Sequence, residues 1–309
     1  MALLLPLTGE RATLGASMER AARLVEPDLA LMPAFDTGGT AQGAALAAQA
    51  AIRRKAAMLL GPLTAFEARA VAAVATAVPT IAFTNDPAVG ASGAYVFGLT
   101  ARQTTSAVLR YARSRGVRTV VVIADGTPWG EAAATSAVAL QNELGLDVRS
   151  VTVTSGAPLP QAGDAPDAVL VPGHGEPALA AARGLRTTGI QLLATVQALD
   201  HRPSALEMLD GAWLAAPDPT AFGNFSAEYA AKNGGDPGAL AALAYDAAGI
   251  AKRLREAGRI GRDGLLGIDS FACVTGAARF RTDGSCARDL AILLASRDGY
   301  RTVATSRGA

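Results

Sequence analysis

Cysteine, histidine, aromatic rings and an excess of charge of either sign are all scarce in this 309-residue chain. Its 28 basic side chains nearly balance 27 acidic ones, for a net charge of +1, so composition points to no basic face for nucleic acid. The densest basic cluster, Arg53-Arg54-Lys55, closes a helical stretch, where cations favour the helix dipole. With only two histidines and two cysteines, a structural zinc site is excluded, because His174 and His201 lie far from Cys273 and Cys286. Cys273 and Cys286 flank a turn at Asp283-Gly284, and spacing alone leaves open whether they form a disulfide in an oxidising compartment. Long hydrophobic runs are also missing: half the residues are hydrophobic, yet none of the runs reaches the ~18 residues that span a bilayer. Met1 to Pro6 has no basic region before its apolar run, which is shorter than the ~7 to 15 residues of a secretory leader's core. It reads directly as a strand, so either the protein is cytoplasmic or a leader has been trimmed and Met1 is an added start.

What is there is organised around Met58 to Asp86. Met58-Leu59-Leu60 runs into the turn Gly61-Pro62-Leu63-Thr64, Ala65 to Ala77 reads as a helix, and Thr80 to Phe83 is a second apolar run ending in Thr84-Asn85-Asp86. Strand, helix, strand is a βαβ unit, whose parallel strands are covered on both faces and so read as unbroken apolar runs. Its right-handed crossover brings both strand ends to one edge of the sheet, where open α/β sheets hold their ligands. Before this unit come a strand at Leu3 to Leu5, a helix from Ala16 to Val25, a strand at Leu29 to Ala34, and a helix from Ala41 to Ile52 capped by Thr40. After it the alternation continues through strands at 94–97, 119–124, 148–153, 168–171 and 191–194, with helices at 100–115, 130–144 and 177–187 between them. A strand at Trp213 to Ala216, helices at 221–232 and 240–256, and a hairpin around Asp283-Gly284 complete the chain. Two α/β halves follow, with the last helices and hairpin returning to finish the first.

The residues at the strand ends are small, polar and mostly uncharged, and no nucleophile has a base beside it. Binding is therefore favoured over catalysis, and no cofactor is expected, since no Gly-x-Gly-x-x-Gly follows the first strand. Thr8 and Thr13 stand with backbone N–H groups at a helix start, a place for a carboxylate or phosphate. Thr64 either donates its hydroxyl to a ligand carboxylate or caps the following helix. Asp86 either pairs with a cationic ligand group or forms the Asn-Asp-Pro turn. Trp129, in a loop after a strand, is either a stacking wall for a ligand or packing beneath the adjoining helix. His174 between two glycines is a candidate ligand contact without the partners a general base needs.

Several segments together resemble the type I periplasmic binding proteins of the leucine/isoleucine/valine-binding subclass. They are Leu3 to Gly9 with Leu14-Gly15, Asp36 to Thr40, Leu60 to Leu63, Phe83 to Asp86, Trp129-Gly130-Glu131, Gly211-Ala212-Trp213, Ala215 to Pro219, Leu243 to Ala247 and Phe280 to Gly284. In detail they are similar to alphaproteobacterial members labelled either solute-binding proteins or activators of penicillin-binding proteins. The resemblance implies two Rossmann-like, doubly wound α/β lobes joined by three hinge crossovers, lobe 1 being 1–98 plus 219–287 and lobe 2 being 99–218 plus 288–309. It implies a monomeric periplasmic solute-binding protein of an ABC-type importer, with a membrane permease as partner and an amino acid or related carboxylate held between the lobes. The alternative it implies is a scaffold lipoprotein that activates a cell-wall synthase. Carried onto this sequence, first-lobe ligand contacts fall at Leu63, Thr64 and Ala65 and at Phe83, Thr84, Asn85 and Asp86, and second-lobe contacts at Trp129, His174, Thr195 and Gln197. Where amino-acid receptors of the family place an acid for the ligand ammonium, Thr195-Val196-Gln197 offers none.

Overall fold

A computed structural model describes residues 1–153, 165–173, 176–185 and 188–308. It divides into two compact units, Met1–Thr100 with Thr220–Arg288, and Ala101–Pro219 with Asp289–Ala309. The chain thus passes from one unit to the other three times, after Thr100, Pro219 and Arg288.

In chain order the first unit opens with β1 (Ala2–Leu5), α1 (Ala12–Val25), β2 (Ala34–Asp36), α2 (Ala41–Arg53), β3 (Leu59–Leu60), α3 (Ala65–Val74), β4 (Thr80–Ala82) and β5 (Tyr95–Val96). The second holds α4 (Ala101–Ser114), β6 (Thr119–Ala124), α5 (Pro128–Leu144), β7 (Asp147–Thr152), β8 (Ala168–Val171), α6 (Glu176–Leu185), β9 (Gln191–Ala194), α7 (Pro203–Met208) and β10 (Trp213–Ala216). The chain then returns to the first unit through α8 (Pro219–Asn233), α9 (Ala239–Glu256), α10 (Arg262–Leu266), β11 (Ala278–Phe280) and β12 (Cys286–Arg288), and ends in the second with β13 (Leu290–Ser296) and β14 (Gly299–Ser306).

The first unit is a parallel sheet in the order β2-β1-β3-β4-β5. Every residue of β1 is buried because both faces are covered: Leu3 and Leu5 join the core under α1 and α9, while Ala2 and Leu4 meet the alanines of α2. Small side chains let α2 approach closely, and Gly15 does the same for α1. A Cβ on Gly15 would lie 2.1 Å from the Pro6 carbonyl oxygen. The expected start of that helix at Ala16 is therefore four residues late, since Gly15 serves a close helix-to-loop contact inside α1 rather than a turn. The run from Leu29 to Met32 is not a strand either. Asp28 accepts a hydrogen bond from Ala30 N–H, a turn forms, and Leu29 is left 62% exposed, so that β2 begins only at Ala34.

The second unit's sheet runs β14-β13-β10-β9-β8-β6-β7, parallel from β10 to β7 and antiparallel at β13 and β14. Its core gathers Val121, Ile123, Val169, Val171, Leu192 and Leu214 with Ala291 and Leu293 from the returning strand. Tyr111 of α4 meets Trp213 of β10 edge to face at 5.0 Å between ring centres. The expected hairpin around Asp283-Gly284 forms, with Phe280 opposite Cys286, but the apolar run beyond it divides: β12 stays in the first unit and β13 pairs with β10 in the second.

Candidate functional site

In the first unit the strand order reverses direction between β1 and β3, the place where open α/β sheets bind ligands beyond the carboxyl ends of their strands. Three loops meet at that edge. Asp36 at the end of β2 holds the β1 loop: its carboxylate accepts the Thr8 hydroxyl at 2.6 Å, Leu7 N–H at 2.8 Å, Thr8 N–H at 3.2 Å and Gly38 N–H at 2.8 Å. Burial acts to raise the pKa of Asp36, but the Thr8 hydroxyl and the N–H groups of Gly38, Leu7 and Thr8 outweigh it and hold the acid below its ordinary value. Thr8 therefore stands at the edge with its hydroxyl proton given to Asp36, and α1 begins without a side-chain cap.

The loop after β3 is held by a residue that sequence reasoning passed over. Glu67, fully buried in the first turn of α3, closes a capping box with Thr64. One carboxylate oxygen accepts Thr64 N–H at 3.0 Å and the Thr64 hydroxyl at 2.6 Å, and the other accepts the hydroxyl of buried Thr37 at 2.6 Å. The Thr64 hydroxyl is thus spent on the helix cap. What remains for an anion are the N–H groups of Ala65 and Phe66, which take no partner among the described residues at the positive end of α3. Phe66 lies beside them, 46% exposed, an aromatic at the strand edge that the helical pattern hid. Leu63 is buried core, as is Phe83, so neither presents its side chain to solvent. Beyond β4 the Thr84 hydroxyl oxygen accepts Asp86 N–H, Asn85 is exposed, and Asp86 both caps the following turn through Ala88 N–H and pairs with Arg69 at 2.5 Å.

In the second unit three strand ends converge on Thr195. Its buried hydroxyl donates to the Pro172 carbonyl at 2.8 Å and accepts the Trp129 indole N–H at 3.2 Å and Gln197 N–H at 3.3 Å. Trp129, Thr195 and Gln197 are thereby brought together with the Pro172-Gly173 loop, joining the ends of β6, β8 and β9. Trp129 is not in a loop as its sequence suggested. Pro128 opens α5, Thr127 caps it through Gly130 N–H, and the indole stands half-buried in the first helical turn. Asp125 organises the same edge: it accepts the hydroxyl and N–H of Thr127. Its carboxylate lies where a Cβ on Gly130 or Gly173 would come within 2.3 or 2.4 Å of an oxygen, so a side chain at either position would require the carboxylate to move. His174 lies outside the described residues.

Residues 1–299 match the periplasmic binding protein family. The chain belongs to that family. Among solved structures this periplasmic binding protein shares its fold with a Rhodospirillum rubrum protein described as a branched-chain amino acid ABC transporter, at 21% identity and a TM-score of 0.85 over 98% of this chain and 99% of that one. It is also similar to the isoleucine complex of a branched-chain amino acid substrate-binding protein from Streptococcus pneumoniae, at 18% identity and a TM-score of 0.62 over 99% of this chain and 98% of that one. A benzoate complex of a solute-binding protein from R. palustris gives 17% identity and a TM-score of 0.65 over 100% of this chain and 96% of that one. No curated protein matches the chain.

The fold of this periplasmic binding protein is thus the two-lobed α/β architecture, and its family holds solutes rather than transforming them. No helix among the described residues is long and apolar enough to cross a membrane. Cys273 and Cys286 are both free thiols, so the disulfide left open by their spacing is not formed. Burial pushes both thiols above their ordinary pKa, Cys273 well above it.

Proposed function

We propose that this periplasmic binding protein is the solute-binding component of an ABC-type importer, acting outside the cytoplasmic membrane on a small carboxylate with an apolar body. A membrane permease reads the solute-bound form. The observation that supports the reading best is the convergence of Trp129, Thr195 and Gln197 on one strand edge, an aromatic wall beside satisfied polar groups. Free N–H groups of Ala65 and Phe66 at the start of α3 suit the carboxylate. Trp129 and Phe66 suit an apolar or flat body. Isoleucine and benzoate, held by the two neighbours named above, share that chemistry and differ in the ammonium group.

Isothermal titration with isoleucine and with benzoate tests the proposal and separates the two sources of a carboxylate. A bound solute at about 100 times its dissociation constant also stabilises the fold by about 2.7 kcal/mol, so a thermal-shift panel of small carboxylates widens the search. Trp129→Ala is expected to lower the affinity of any solute found by tenfold or more while leaving the fold intact. Unchanged affinity removes Trp129 from the site, and a panel in which no small carboxylate binds overturns the reading.

A further inference from the structure

We infer that Arg288 is a positioning residue for solute binding: inside the first unit it fastens together the two segments through which the chain leaves that unit, and ties them to the loop carrying Thr84, Asn85 and Asp86. The inference rests on the proposed function for its consequence in binding, but its geometry is independent of it. Arg288 is fully buried, the largest side chain to be so among the described residues. It is the last residue of β12 and of the first unit before the chain passes to Asp289. Phe97 stands three residues before the crossing after Thr100 and is equally buried. The Arg288 Nη2 donates to the Phe97 carbonyl at 2.6 Å, and the guanidinium carbon lies 4.6 Å from the centre of the Phe97 ring. Both exits are therefore held by one side chain.

The other side of the guanidinium faces α9. Nη1 donates to the Thr275 hydroxyl and, at 3.4 Å, to the Gly276 carbonyl. The Thr275 hydroxyl in turn donates to Asp246 at 2.5 Å, and Asp246 also accepts the N–H groups of Val274 and Thr275. Three acceptors divided between the two Nη atoms match the fork of arginine and not the single ammonium of lysine. Nε–H finds no acceptor among the described residues, so the Nη atoms set the orientation.

The same segment reaches the solute loop. Gly98 N–H donates to the Thr84 carbonyl at 3.0 Å, and a Cβ on Gly98 would lie 2.4 Å from that oxygen, so backbone is pressed on backbone there. Phe97 N–H donates to the Ala82 carbonyl at 2.8 Å. The loop carrying Thr84 is thus braced by Gly98 and Phe97 and, through the guanidinium, by the end of β12.

Hydrogen exchange on the full chain without solute tests this. Arg288→Lys is expected to speed exchange tenfold or more in peptides over 95–100 and 286–291, with an increase reaching 83–86 and none over α2. Thr275→Val, which leaves the bond to Phe97 intact, is expected to loosen 273–278 without loosening 95–100. If Arg288→Lys does not fold, Phe97→Leu removes the ring beneath the guanidinium and is expected to loosen 286–291. A uniform rise across the first unit, equal effects of Arg288→Lys and Thr275→Val, or no change at either exit overturns the inference. Where isoleucine or benzoate binds the unsubstituted protein, Arg288→Lys is expected to weaken it tenfold or more through faster release, and equal affinity also overturns it. If neither probe binds the unsubstituted protein, that result counts against the proposed solute class, and the exchange comparison decides on Arg288.

Discussion

Replacing Glu67 by Met removes a buried carboxylate while keeping its volume, and the outcome separates two opposing effects. A buried charge without a cation beside it costs desolvation free energy, so an apolar replacement of similar shape is neutral or stabilising where nothing depends on the charge. Here three donors depend on it. Thr64 is half-buried, so water can replace the carboxylate for its N–H and hydroxyl, and the loss is about the ~1 kcal/mol of a helix cap. Thr37 is fully buried and its hydroxyl would be left without its acceptor, a cost of about 1–3 kcal/mol. Glu67→Met is therefore expected to destabilise the first unit by about 2–4 kcal/mol. Adding Thr37→Val removes the stranded hydroxyl but also the acceptor of the Gly39 N–H at 3.2 Å, so the double variant is expected to recover part of the Thr37 cost. Both tryptophans, Trp129 and Trp213, lie in the second unit, so urea unfolding is best followed by far-UV circular dichroism. A Glu67→Met variant as stable as the unsubstituted protein, or a double variant no better than the single, refutes the account of Thr37 as the dependent group.

Two further outcomes follow from the packing. Gly173→Ala is expected to destabilise the second unit by about 1–3 kcal/mol, because its Cβ would lie 2.4 Å from an Asp125 oxygen. Asp125→Ser in the same chain is expected to restore part of that loss in urea titrations, and no restoration would mean that the carboxylate is not the obstacle. Glu26→Gln tests the acid limb of stability: the Arg255 hydrogen bond at 2.6 Å, working against burial, holds Glu26 below its ordinary pKa. A depressed folded-state pKa gives stability present above the unfolded value and lost as the pH falls through the folded one. The variant is therefore expected to lose less stability than the unsubstituted protein between neutral pH and about pH 3, and parallel curves would sink the assignment.

Elements with unbroken apolar runs were legible because burial on both faces leaves a parallel strand no polar position. β1, β3, β8, β9 and β10 fall where their sequences place them. The failures share a cause, in that local residues were read for local roles. Gly15 looked like a turn and serves a contact with Pro6, and Leu29 to Met32 looked like a strand but lost to an aspartate turn and a following proline. Trp129 looks like a loop residue when the helix is started at Gly130, whereas proline at the first helical position begins it two residues earlier. β14 was not foreseen: its alternation of half-buried and exposed residues carries no dense apolar signal. Arg288 and Asp246 were illegible as a pair, since 42 residues separate their numbers and a threonine stands between their side chains.

The polar residues that sequence alone marks as ligand contacts are, in this fold, largely occupied with one another. Thr8 is bound to Asp36, Thr64 to Glu67, Thr84 to Asp86 N–H and Thr195 to Pro172 and Trp129. Such saturation costs the ligand side chains to bond with, but it fixes loops whose backbone N–H groups and aromatic faces then need no reordering when a solute arrives. An anion at the start of α3 meets donors already aligned by the capping box, and a ring beside Trp129 meets an indole already held by Thr195. Preorganisation of this kind predicts that substitutions at Glu67 and Thr195, which need touch no solute, weaken binding through the groups they hold.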